Sequence, residues 1–308
     1  MTSSSSLTEI LDRFDAWMTV NGKKCKGRSF KTRKAYCSDI RVFARFFEAH
    51  SGETFAPELV IARDLRAFES FSNAGYGNVK PVGPATWNRR YNALETFFSF
   101  LVGEGLVQFN QFERSGLHER RKQEESPRSL PKSDYARVLR SVEQTVLMAK
   151  TDLQKRDALR NRAMFYLMAG GGLRVGELCA LTSSHLLLSD RKGAVLVEHG
   201  KGDKDGSVAL GREARLAVAD WLAVNDGALL FDGISERQVQ RYCQRISELS
   251  GVKFTPHSLR HTAIRSVWVS SGGDAAITKS FARHTNIQQT MRYAMPQQED
   301  IERAVEFI

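Results

Sequence analysis

The stretch PHSLRHTAIRSVWVSSGGDAAITKSFARHTNIQQTMRYA, residues 256–294, decides how the chain is read. Helices are predicted within it over about 257–271 and 274–283. His257 and Arg260 then share one helical face at i, i+3. His284 follows the second helix, and Tyr293 stands nine positions further on. Two upstream residues belong with them. Arg174 lies in GGLRVGELCAL (171–181), where a Gly-rich bend enters a helix, and Lys201 lies in the turn HGKGDK (199–204). Singly, each has an ordinary explanation: a surface ion pair, a solvated turn lysine, a core tyrosine. The ordered combination is far more specific.

Working outward, GAVLVEHGKGDKDGSVAL (193–210) reads as a β-hairpin, two short β-branched runs around a polar, Gly-containing turn. Further helices are expected at about 132–146, 155–169, 211–224, 235–249 and 297–307. Residues 132–308 therefore form a mostly helical domain with a small antiparallel sheet. The stretch RSGLHERRKQEESPRSLP (114–131) loses hydrophobic periodicity and gains charge, Ser and Pro, the signature of a linker. Residues 1–113 read as a separate helical domain after a serine-rich start. Leu7, Ile10, Leu11, Phe14 and Trp17 recur at helical spacing, and helices follow at about 32–50, 62–71 and 85–103. The fold class is mainly α with a small antiparallel β-sheet.

The net charge of +10 favours a polyanionic partner. It concentrates in residues 21–45, where nine basic side chains face Asp39 as the only acid. Lys23, Lys24, Lys26, Arg28, Lys31, Arg33 and Lys34, with Arg89 and Arg90 on the fourth helix, are the candidate contacts to that polyanion, be it nucleic acid, a membrane surface or a phosphorylated substrate. No apolar run approaches the roughly 18 residues that span a bilayer, and the N-terminus lacks the pattern of a secretory signal. Four scattered cysteines without a CxxC pair suit reduced thiols and a cytoplasmic location. GGGLRVGE lacks the Lys-Ser/Thr of a P-loop, and DKDG (203–206) lacks the remaining ligands of a calcium loop. His257 and His261 stand at i, i+4. HSLRH nevertheless holds no carboxylate and places an arginine against any cation, so no metal or other cofactor is expected.

The set Arg174, Lys201, His257, Arg260, His284 and Tyr293 resembles, in order and spacing, that of the tyrosine recombinases or phage-type integrases, in their simple two-domain, Xer-like form. The helical first half looks like their SAM-like core-binding domain, and the second half looks like the mixed α/β catalytic domain of DNA breaking-rejoining enzymes. Ala282-Arg283-His284 departs from the family's frequent Leu-Gly-His, and Gln289-Thr290 from its Thr-Thr.

The resemblance implies a nucleophilic Tyr293 that forms a 3′-phosphotyrosyl link, with energy conserved for rejoining and no need of metal or ATP. Two guanidiniums, Arg174 and Arg260, suit the charge that grows on a phosphodiester under attack. His257 is placed to accept the phenol proton, Lys201 to protonate the departing 5′ oxygen, His284 to hydrogen-bond the phosphate, and Glu177 to orient the site. The implied partners are double-stranded DNA carrying a recombination site and three further copies of the chain, a homo-tetramer on two sites. Ile301, Ala304, Val305 and Ile308 on a terminal stripe would dock on a neighbouring copy. The same chemistry also fits relaxation by a type IB topoisomerase, and the same fold fits an architectural DNA-binding protein without activity.

Overall fold

The computed structural model describes residues 6–21, 27–75, 80–119, 129–189, 191–198, 206–225, 227, 229–296, 301–302 and 305–306. The chain divides into two compact units, Met1–Glu124 and Glu125–Ile308.

The first unit comprises α1 (Leu7–Val20), α2 (Phe30–Ser51), α3 (Ala62–Ala74), α4 (Pro84–Gly103) and the short α5 (Gln111–Ser115). Local chemistry sets their ends. Ser6 and Glu9 form a reciprocal capping box at α1, Ser29 caps α2, and Gly52 ends α2 in the left-handed conformation. Pro84 opens α4, whose missing N–H would have had no partner there. Aromatic side chains make the core: Phe14, Phe43, Phe68, Trp87, Phe97, Phe98 and Phe100 are fully buried. Phe43 meets Phe68 edge-on at 5.2 Å, a favoured ring geometry. The stretch read as a linker begins inside this unit. Leu117 is buried against the aromatic core, and the Trp87 indole N–H donates to the His118 carbonyl at 3.1 Å. One buried leucine in a polar run leaves no periodicity to read.

Asp39, the lone acid of the basic window, is buried on α2 and tied to α4. Its carboxylate accepts from Arg89 Nε at 2.7 Å and Nη2 at 2.9 Å, with Arg90 Nε at 3.9 Å. Removing the acid strands two guanidiniums, although half-exposed Arg89 can rehydrate. Asp39→Ala is therefore expected to cost about 2–3 kcal/mol, below the full penalty for breaking a buried pair. A lower urea midpoint by tryptophan fluorescence would show it; an unchanged midpoint would mean the tie carries no stability.

The second unit comprises α6 (Lys132–Leu147), α7 (Asp152–Ala169), α8 (Val175–Cys179), strands β1 (Leu186–Leu188), β2 (Gly193–Val197) and β3 (Gly206–Ala209), then α9 (Arg212–Leu222), α10 (Glu236–Ser250), α11 (Pro256–Ser270), α12 (Ala275–Ala282) and α13 (Ile287–Met291). The end of α7 runs through the core, every side chain from Ala163 to Ala169 being buried. The predicted hairpin is β2–β3, antiparallel, with Val195 opposite Val208 and Val197 opposite Gly206. Val195, Val197 and Val208 face the core while Leu196 faces out, the period-two alternation of a half-covered sheet. The sheet gains a third strand absent from the sequence reading: β1 pairs antiparallel to β2, giving the order β1-β2-β3. Its three leucines are too short a run to show a period. The hairpin tip, with Lys201, lies outside the described residues, as does most of the helix expected over 297–307. No described helix is long and apolar enough to cross a membrane.

Candidate active site

Past α7, the chain turns at Gly172, which takes φ +60° and leaves only 3.1 Å between an added Cβ and the Phe281 ring. Both constraints call for glycine. The turn delivers Arg174 as the N-cap residue of α8. There the Arg174 backbone N–H donates to Glu177 Oε2 at 2.8 Å and its Nη1 donates to Oε1 at 2.6 Å. Glu177 also accepts from Arg283 Nη2 at 2.6 Å. Burial works to raise the Glu177 pKa, but the Arg174 N–H, Arg283 and the Arg174 side chain together hold it below its ordinary value.

Arg260 is the hub. Pro256 at the first helical position and the Thr255–Ser258 capping box fix the start of α11, which sets the side chain inward, 3% exposed. Its Nη1 donates to the Gly172 carbonyl and its Nη2 to the Ala282 carbonyl at 2.5 Å. One fork thus gathers the bend before Arg174 and the segment before His284. Burial, then the positive Arg174 and Arg283, push its pKa down to about 10, so it stays charged at neutral pH. The two bonds fix the plane of the fork and use only part of its five N–H groups.

Tyr293 lies in a 3-10 turn, Arg292–Ala294, and is 2% exposed, packed with Ile264 and Ala282. Its hydroxyl hydrogen-bonds Nδ1 of His261, and its carbonyl accepts from Arg265 Nη1. The imidazole on the phenol is therefore His261 rather than the expected His257. His257 is exposed and meets the His261 ring edge-on at 4.3 Å. His284 Nδ1 bonds the Thr290 hydroxyl at 2.9 Å, and its ring lies 6.3 Å from that of Tyr293, nearly parallel. Burial raises the Tyr293 pKa to about 12, against the pull of Arg260 and Arg292.

Burial lowers both His261 and His284 to about 4, with neighbouring cations adding to the effect. Both are thus neutral at physiological pH. The unfolded chain takes up these protons near the ordinary histidine value of 6.5 while the fold refuses them until about 4. Stability is expected to fall as pH drops through that window. Thermal unfolding at pH 7.5 and 5.0 checks the sign. A double variant, His261→Asn with His284→Asn, should flatten the dependence; an unflattened curve would place the protons elsewhere.

Of the expected catalytic set, Arg174, Arg260, His284 and Tyr293 converge with Glu177, His257 lies beside His261, and Lys201 is outside the described residues. His261, Arg265, Arg283 and Thr290 were not foreseen as contributors. His261 carried a signal, being adjacent to Arg260 in the same motif, and so did Arg283, standing where the family often has glycine. The expected DNA contacts divide differently. Lys23, Lys24 and Lys26 lie outside the described residues, and Lys31 and Lys34 are exposed. Arg33 pairs with Asp15 at 3.1 Å, and Arg28 donates to Thr96 at 3.0 Å and covers the Tyr36 ring. Arg89 and Arg90 serve Asp39. These four arginines also tie helices of the first unit together, a structural role that the sequence reading did not foresee. Buried acceptors and ring faces claim guanidiniums that composition alone assigns to the surface.

A phenol set among guanidiniums and neutral imidazoles has the groups that chemistry on an anionic ester calls for. Residues 137–300 match the phage integrase family. The tyrosine recombinase XerC of Thermodesulfovibrio yellowstonii is 28% identical over 286 residues, 87% of this chain and 86% of that protein. XerC of Salmonella typhi is 30% identical over 226 residues, 70% of each. XerH bound to a palindromic difH substrate, in a post-cleavage complex, has a similar fold, with a TM-score of 0.70 at 16% identity, covering 97% of this chain and 95% of that one. A lambda integrase dimer bound to a COC′ core site gives 0.69 at 18% identity, covering 94% and 95%. The chain belongs to the phage integrase family and is a tyrosine site-specific recombinase.

Proposed function

We propose that this recombinase cuts and rejoins double-stranded DNA at a defined site through a 3′-phosphotyrosyl bond on Tyr293, using neither metal nor ATP. The observation that carries the reading is the Arg260 fork, whose two bonds bring the Arg174 bend and the His284–Tyr293 segment around one buried cation. The Tyr293 oxygen attacks phosphorus while its proton passes to Nδ1 of the neutral His261 imidazole, against which the His257 ring packs. Arg174 and Arg260 take the charge growing on the non-bridging oxygens. The bond to the 5′ oxygen breaks, and Lys201 supplies its proton. A 5′-hydroxyl attacking the phosphotyrosine reverses the sequence and conserves the bond energy.

The work is integration, excision or resolution of a mobile element or replicon in the cytoplasm, by four copies on two sites. Its grip on DNA draws on the 21–45 window, with Lys23, Lys24, Lys26, Lys31 and Lys34 at phosphates. The test has two stages. DNA covalently trapped on the protein in cells identifies the site, and a nicked duplex of that sequence is then incubated with the protein in EDTA without nucleotide. A denaturing gel should show a covalent adduct that rejoins with a supplied 5′-hydroxyl strand. Absence of an adduct, or one that needs Mg²⁺, would overturn the reading. Adducts on any supercoiled DNA, with relaxation and no strand exchange, would mark a topoisomerase instead.

A further inference from the structure

We propose that Arg283 is a positioning residue of the cleavage site: it holds Glu177, and through Glu177 the Arg174 guanidinium, in the geometry that receives the scissile phosphate. This rests on the functional reading above.

The backbone gives the first reason. Arg283 caps α12 at φ 51°, ψ 46°, the left-handed conformation in which helices ordinarily end on glycine. Among the described residues only it and Asp232 hold a positive φ without being glycine. Its side chain is 13% exposed, and its buried Nε has no hydrogen-bond partner among the described residues. A strained backbone and an unpaired donor are two costs, kept where a side chain has a use that glycine cannot serve.

That use is visible in the contact it makes. Arg283 Nη2 donates to Glu177 Oε2 at 2.6 Å while Arg174 Nη1 donates to Oε1, also at 2.6 Å. Each carboxylate oxygen accepts from a different guanidinium, Oε2 also accepting from the Arg174 backbone N–H, so the carboxylate cannot rotate without breaking a charged bond. Arg174 is thereby braced from a segment 106 residues away from its anchor Glu177. Arg283 also sets the charge balance. With it, three guanidiniums (Arg174, Arg260, Arg283) face one carboxylate; with glycine in its place, two would. The surplus is what an anionic phosphodiester meets. The β3 strand is fitted to this arginine as well. A Cβ on Gly206 would stand 2.7 Å from Arg283 Cδ, so the strand leaving the Lys201 turn passes directly over the Arg283 stem.

The test uses the full chain and a nicked duplex of the site trapped by the wild type, with single-turnover cleavage at saturating protein, gel-shift affinity and thermal unfolding read in parallel. Arg283→Gly should keep affinity and keep or raise the melting temperature, yet slow cleavage about a hundredfold, the scale of a misplaced reacting group. Arg283→Lys, which retains the charge and one bond to Glu177, should recover most of the rate. A neutral methylphosphonate at the scissile position should erase most of the difference between wild type and Arg283→Gly, because the missing cation then has no charge to meet. Three results would each overturn the proposal: wild-type cleavage by Arg283→Gly, a lysine variant no faster than glycine, or a deficit undiminished on the methylphosphonate. Failure of the wild type to form any adduct would overturn the functional reading itself, and this proposal with it.

Discussion

Tyr293→Phe is expected to abolish the covalent DNA adduct while DNA affinity and folding persist. The change removes one oxygen from a ring packed with Ile264 and Ala282 and leaves the packing in place. His261 loses its partner on the hydroxyl, at a cost of about 1 kcal/mol. Chemistry is lost outright, because a phenol held near pKa 12 by burial has no substitute nucleophile on the same turn. That raised value leaves only about one phenol in 10⁵ ionised at pH 7, so an acceptor must take the proton as attack begins. The nicked duplex and denaturing gel decide the matter. The chain has seven tyrosines, so an adduct surviving in Tyr293→Phe would be mapped to one of the other six by mass spectrometry.

Arg260→Met should damage rate and fold together. Methionine retains an apolar stem of similar length but no donors, leaving the buried carbonyls of Gly172 and Ala282 unsatisfied. Each such group costs about 1–3 kcal/mol, and a loss of roughly 3 kcal/mol is expected in denaturant unfolding. Single-turnover cleavage should fall by about 10²–10³-fold, the effect of removing one preorganised donor from a transition state. Arg260→Lys separates the two effects. It restores the charge but can reach only one carbonyl well, so part of the stability deficit should remain. Unaltered stability in Arg260→Met would show that Gly172 and Ala282 find other donors and that the hub is not structural.

Most of the helices were legible because they repeat an apolar pattern over three or more turns, as Tyr36, Ile40, Phe43 and Phe47 do on α2. What escaped was short. β1 spans Leu186–Leu188 and α13 spans Ile287–Met291, each less than two periods of its own pattern. In the site, Arg174, Arg260, His284 and Tyr293 were legible from order and spacing, because the chemistry fixes their type. Their supports were not. The Arg283–Glu177 contact joins residues 106 positions apart, and nothing local to either marks the other. Glu177 was within reach, one turn from Arg174. His261 was read only as half of a possible metal pair. Asp39 offered a signal that composition obscured: a lone acid among nine bases is worth asking about, and here it sits buried beneath Arg89.

The Asp39–Arg89 tie also sets the inward-facing arginines of the first unit apart from its exposed cations. Arg28 and Arg33 are engaged inside the first unit, as are Arg89 and Arg90 on α4, whereas Lys34, Arg41 and Arg45 are exposed. Amine-directed acylation and arginine-directed dicarbonyl reagents should therefore do different things to one surface. The first would strip charge while leaving the arginine ties in place; the second would strip the charge of Arg41 and Arg45 and also pry at the joints. Where the window grips DNA as proposed, lysine acylation alone is expected to weaken binding, with the folded unit left to report on what remains.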